Sequence, residues 1–173
     1  QGNTRGYKTD IDSALSLDPT FPEALVERGA MKMDAGDAAG ARACAAALAT
    51  IAGDIGQDEA MSALSHALGE TTLLDGSAEQ TAGHFSRALM LLHGVDGPFD
   101  RLKSERRAAA VLAAAGRCEE AVEHLIAAYR TARRLGAKPT VERVTGSLSA
   151  LGEQAERRLG RRARPGRSPR ARR

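Results

Sequence analysis

The chain reads as an all-α protein, a right-handed superhelical array of antiparallel helix pairs, and three observations carry that reading. Glycines at 36, 76 and 116 stand in similar contexts at a constant spacing of 40 residues. A fixed period of that length is the mark of a helical solenoid. Apolar residues make up 42% of the 173 residues while aromatics make up only 3% with no Trp, so the core must be built from Ala and Leu between closely packed helices. Strand formers never alternate over a useful length.

The elements follow in order. Residues 7–17 form the second helix of a repeat whose first helix is missing, with Ile11, Ala14 and Leu15, joined by Tyr7, on its apolar face and Asp18-Pro19 at its end. Thr20 to Glu23 has the form of a capping box, with Pro22 in the first turn, where its missing N–H costs little. A first pair spans 22–52 and turns at Gly36-Asp37, and Gly53 to Gly56 is read as a loop. A second pair spans 57–93, turning at Gly76, with Ser77 to Gln80 as a second capping box. His93 to Pro98 breaks the chain before a third pair at 98–135, which turns at Gly116. A last unpaired helix covers 140–159. Its Val141, Val144, Leu148 and Leu151 recur at 3, 4 and 3 residues, so one face docks on the third pair. Residues 1–159 are thus one repeat domain. The stretch 160–173, with Pro, Gly and like charges, is expected to be a disordered Arg-rich tail or linker.

Charge divides along the same line. Nine Arg and no acid lie from Arg157 onward, leaving 16 of the 25 bases to face 22 acids in the rest of the chain. An acidic helical body does not have the footprint of a nucleic-acid reader, so DNA contact is expected only weakly, through the arginine tail. No stretch is read as long and apolar enough to span a bilayer, and the polar run Gln1 to Asp10 has no signal-peptide character; it reads as a cut within a larger protein. Cys44 and Cys118 are far apart and form no CxxC, which fits two buried thiols in a reducing cytoplasm.

Several constellations that would carry chemistry are absent or have a plainer role. There is no GxxxxGK[ST] phosphate cradle, and no cofactor is expected. Cys44, His84 and His124 share one repeat position, but equivalent positions in stacked helices lie roughly 10 Å apart. Ligands of one zinc lie about 2.0–2.3 Å from it, so no metal is expected there. Acid pairs such as Asp58-Glu59 and Glu119-Glu120 open helices, where carboxylates suit the dipole. No catalytic role is expected. The run Arg101, Lys103, Arg106, Arg107 is read first as a solvated face with pairs to Glu105, second as a contact for an anionic ligand or acidic peptide, and last as a contact for nucleic acid.

Position by position, the repeat carries a family resemblance. Gly29, Gly69 and Ala109 precede the turn glycine by seven residues; Ala41, Thr81 and Ala121 follow it by five; Ala45, Phe85 and Leu125 by nine; Leu48, Ala88 and Ala128 by twelve. This resembles the tetratricopeptide pattern of small residues at the crossing of each pair and a larger one toward the next pair. The third pair departs from it in having Ala109 for glycine, and the period exceeds the usual 34 residues. The segment from Gly97 to Glu153 further resembles the end of the helical-repeat region of large bacterial LuxR-type regulators. It has the opening Gly97-Pro98-Phe99, the Gly116-Arg117 turn, the closing Leu135-Gly136-Ala137 and the final Leu151-Gly152. Gly166 to Arg170 resembles the entry to that family's DNA-binding domain, but Ala171-Arg172-Arg173 departs from it. The ATP-binding and helix-turn-helix modules of that family are absent from this chain.

The resemblance implies an interaction or effector-sensing segment of a transcription regulator, with a free-standing tetratricopeptide adaptor as the alternative. In a tetratricopeptide array the first helix of each pair lines the concave surface. That register places Glu23, Val26, Ala30, Met33 and Asp34 in the groove from the first pair. It adds Ala63, His66, Glu70, Leu73 and Leu74 from the second, and Lys103, Arg106, Ala110, Ala113 and Ala114 from the third. The expected groove is apolar along its floor, acidic at one end and basic at the other. It suits a protein, a peptide or a small effector, and no membrane.

Overall fold

A computed structural model describes the backbone of residues 4–162 and the side chains of residues 6–152. Among these it holds eight α-helices: α1 (Thr4–Leu17), α2 (Pro22–Asp34), α3 (Ala38–Ile55), α4 (Asp58–Thr72), α5 (Ala78–Leu91), α6 (Pro98–Ala114), α7 (Cys118–Arg134) and α8 (Lys138–Arg162). A 3₁₀ turn, Leu73–Asp75, follows α4. Each helix packs on its neighbours in the chain, and α2 also packs on α4. The result is a tetratricopeptide-like solenoid of three helix pairs, with α1 and α8 closing its two ends. The expected tail at 160–173 falls mostly outside the described residues; α8 continues to Arg162, past the expected end at 159.

The turns explain the 40-residue period. Gly116 has φ 81°, its N–H bonds to the carbonyl of Ala113 at 3.0 Å, and the Arg117 N–H bonds to that of Leu112 at 2.9 Å. This paired closure needs a left-handed residue, which glycine adopts without steric cost. The same two bonds recur at Gly36, with Met33 and Lys32 as acceptors, and at Gly136, with Arg133 and Ala132. At Gly76 only the bond to Leu73 forms, and the helix tightens into the 3₁₀ turn instead.

Several local expectations are corrected. Neither capping box forms. Phe21 and Ser77 are the N-cap residues of α2 and α5 and neither makes a side-chain cap bond. The Thr20 hydroxyl turns back to Asp18 Oδ1 at 2.6 Å instead. Asp37 does cap α3, accepting from the Gly40 N–H at 2.8 Å. The loop read at Gly53 to Gly56 is helical through Ile55, because Gly56, at φ 65°, supplies the break alone. Helix α5 stops at Leu91, and α8 begins at Lys138. Helix α3, 18 residues long, is also apolar enough by length and composition to cross a bilayer, contrary to the reading of the sequence. Its alanines raise the hydropathy without adding bulk; one face packs through Ala41, Cys44, Ala45, Leu48 and Ala52, and Arg42 pairs with Asp75 at 2.8 Å.

The core forms two clusters. One joins Ile11, Leu15, Ala24, Leu25 and Leu48; the other runs from Ala82 and Phe85 through α6 and α7 to Val144 and Leu151 of α8. Helix α4 lies between them and buries mainly small residues: Ala60, Ser62, Ser65, Gly69 and Thr71. Its buried hydroxyls are satisfied, Ser62 by the Ala88 carbonyl at 3.0 Å and Ser65 by that of Met61 at 2.8 Å. Phe85, 0% exposed, lies against Gly69, where an added Cβ would meet the ring at 2.8 Å. The glycine is therefore a condition for the aromatic that fills the core at this crossing.

Candidate functional site

The inner surface is built by α2, α4 and α6, the first helix of each pair, continued by α8. Three hollows line it. The first, about 340 Å³, sits at the N-terminal ends of α2, α4 and α6; it gathers Glu23, Val26, Ala63, His66 and Lys103 over a floor completed by Leu92 and Val95. A second, about 220 Å³, lies between α2 and α4 and holds Met33, Asp34, Glu70 and Arg107. Val26 and His66 line both. A third, about 220 Å³, lies between α6 and α8 and holds Arg106. Most of the groove positions drawn from the repeat register are therefore distributed over three hollows, while Ala114, Leu73 and Leu74 line none of them and Ala114 is exposed. Leu73 and Leu74 divide: Leu73 packs on the second core cluster, and Leu74 is exposed.

Glu27 and Arg107 are the residues that sequence reasoning missed. The Lys103 ammonium on α6 donates to Glu27 on α2, reaching over α4, and the Tyr7 hydroxyl of α1 donates to the same carboxylate. Arg107 donates through Nε and Nη2 to both oxygens of Glu70. These two bridges stand on either side of His66, whose Nδ1 lies 3.0 Å from Ser104 Oγ and whose Nε2 lies 3.7 Å from Glu70. A side chain nine residues before the turn glycine, as both Glu27 and Arg107 are, carries no tetratricopeptide signature. Only their opposite charges in the first and third repeats hinted at a link.

The electrostatics follow from this closure. Burial, and then the charges of Lys103 and Arg107, push the His66 pKa down to about 4, so the ring is neutral near pH 7. For Glu27, burial works to raise the pKa, but the hydrogen bonds from Lys103 and Tyr7 outweigh it and hold the carboxyl below its usual range. The basic run is thus spent on internal partners rather than presented as a block: Lys103 on Glu27, Arg107 on Glu70, and Arg101 on the Leu92 carbonyl. Glu105, expected to pair within that run, instead meets His124 of α7 at 2.5 Å.

The acidic end of the groove also differs from the expectation. Glu23, Glu59, Asp96 and Asp100 rim the first hollow, and none is in an ion pair among the described residues. Glu23, Glu59 and Asp100 stand in the first turns of α2, α4 and α6. Each such terminus carries about half a positive charge, which offsets part of the negative rim but not all of it. Acidity therefore gathers at one end of the helix axes, across all three pairs. Arg106, in the third hollow, has no ion pair among the described residues. Among the described residues no group of three His, Cys, Asp or Glu side chains is placed to hold a metal ion.

Fold and groove together define a tetratricopeptide-like helical-repeat protein. No family model matches the chain, and no curated protein matches it. Two crystal structures of MamA are similar in outline, each at 16% identity and a TM-score of 0.45. One likeness covers 92% of this chain and 96% of that one; the other covers 97% and 94%. The fold assignment rests on the helices and turns described above.

Proposed function

We propose that the concave groove is a docking surface for a peptide or protein segment. The observation that carries the reading is the hollow of about 340 Å³ in which three successive pairs bring Glu23, Val26, His66 and Lys103 together over an apolar floor. A cavity with an apolar base and a few placed polar groups is the usual form of a recognition site. The test is phage display of random peptides against the chain, followed by binding to two variants. Ala63→Arg fills the floor of the hollow, and Ala46→Arg changes an exposed position on α3. Peptides should lose Ala63→Arg and keep Ala46→Arg. Equal binding to all three proteins would remove the groove from consideration.

The resemblance of Gly97 to Glu153 supports a narrower reading. In it the segment senses an effector or partner for a LuxR-type regulator and passes that state to ATP-binding and DNA-binding modules. The alternative is an adaptor that acts alone. The flanking reading frame separates them: a Walker motif upstream and a helix-turn-helix downstream select the regulator, and their absence selects the adaptor.

A further inference from the structure

Resting on the groove reading, we infer that the hollow between α6 and α8 is a subsite for a carboxylate side chain, an Asp or Glu with an aliphatic neighbour, delivered by a peptide lying in the groove. Arg106 is the observation that points there. It is half-buried, and it has no hydrogen bond or ion pair among the described residues, while Arg101, Lys103 and Arg107 of the same helix each have an acceptor. A guanidinium held half out of water without an anion is unfavourable, and here a second cation aggravates it. Burial, then the charges of Arg143 on α8 and of Arg107, all disfavour the charged form of Arg106. Arg107 is already neutralised by Glu70; Arg143 reaches only the Pro139 carbonyl and the Thr140 hydroxyl, both at 3.3 Å. Arg106 thus faces the hollow with no carboxylate on it among the described residues, and Arg143 stands near enough to add to its charge.

The walls decide the rest of the ligand. Ala110, Ala113, Leu125 and Leu151 make the lining apolar beside the arginine. The volume of about 220 Å³ equals that of roughly seven waters at ~30 Å³ each, which is the size of one acidic side chain with part of its neighbour. A carboxylate matches the planar fork of arginine with two parallel bonds. The hollow is open along the groove. A free small acid would therefore bury little of itself, whereas a tethered side chain gains from contacts on either side. Nucleic acid is disfavoured because the same groove carries the unpaired acids Glu23, Glu59, Asp96 and Asp100.

The experiment is an NMR titration of the ¹⁵N-labelled full chain with acetyl-Leu-Ala-Glu-Leu-Ala-amide, its Gln counterpart, and sodium 4-methylpentanoate. The Glu peptide should move the Arg106 side-chain resonance and the amides of Ala110, Ala113 and Ser147. The Gln peptide should bind about tenfold more weakly. Arg106→Gln, checked for fold by circular dichroism, should lose that preference, and Arg106→Lys should recover part of it. Equal binding of the two peptides, or 4-methylpentanoate binding as tightly as the Glu peptide, would overturn the assignment. Shifts confined to Val26 and Ala63 would discard this subsite and keep the groove; no shift at any groove residue would discard both.

Discussion

Lys103 of α6 and Glu27 of α2 are joined across 76 residues of sequence, over the top of α4, by a single ion pair. With Tyr7 on the same carboxylate, this contact ties three elements of the array, and Lys103 lines the same hollow as His66. A groove read from register alone is an open trough; here its centre is bridged.

The bridge predicts a tyrosine titration. The Tyr7 phenol is pushed up to about 12 by burial, then by its hydrogen bond to Glu27 and that residue's charge. In Glu27→Gln the absorbance titration of Tyr7 should shift back toward its ordinary value. The side chains of Lys103 and Glu27 are 45% and 27% exposed, so water screens the pair and its loss should cost only about 0.5–1 kcal/mol. An unchanged Tyr7 titration would show that the three groups do not meet in solution.

Two histidines predict opposite pH behaviour. The His66 side chain is 14% exposed and its pKa falls from 6.5 to about 4. The unfolded chain takes up the proton first. Stability from this site is therefore full above pH 6.5 and is lost as pH falls toward 4, by up to about 3 kcal/mol. His124 has its pKa raised, chiefly by its hydrogen bond to Glu105. Its contribution is full below the unfolded value of 6.5 and is lost as pH rises through the folded one. Urea melts from pH 7.5 to 4 should show His66→Gln with a flatter acid limb and His124→Gln with a flatter neutral limb. Two variants with wild-type pH slopes would contradict both environments.

Packing predicts an asymmetry between two glycines. At Gly69 a Cβ would meet Phe85 Cζ at 2.8 Å; at Gly29 it would meet Cys44 Cβ at 3.5 Å, an ordinary contact. Gly69→Ala should cost about 1–3 kcal/mol and Gly69→Leu several kcal/mol through overpacking. Gly29→Ala should be neutral or gain up to about 1 kcal/mol from helix propensity. Thermal melts that rank the two alanine variants the other way would mean that the crossings are placed wrongly.

Charge reversal separates Lys103 from Arg106. Lys103→Glu sets a second carboxylate against Glu27 and should lower stability by about 1 kcal/mol. Arg106→Glu removes a repulsion with Arg143 and should leave stability equal or raise it by up to about 1 kcal/mol. Urea denaturation decides this. A loss at Arg106 comparable to that at Lys103 would mean that Arg106 has a structural partner.

Periodicity alone determined the solenoid. Turn chemistry and small-residue crossings are local: a glycine at a left-handed position and a small residue seven places before it act within one pair, so they recur visibly in sequence at Gly36, Gly76 and Gly116. The register also put Glu23, Val26, Met33, Asp34, His66, Glu70, Lys103 and Arg106 on the first helix of each pair, and each of them lines one of three hollows. Which charges remain available was not. Whether Lys103 meets Glu27, whether Glu105 turns to His124 rather than to its own helix, and whether Arg106 meets an anion among the described residues depend on the curvature that brings α2 over α4 toward α6 and lays α8 beside α6. Curvature sums small rotations over several pairs, and an ion pair needs its atoms within a few ångströms, so only the tertiary structure decided how the groove's charges were spent.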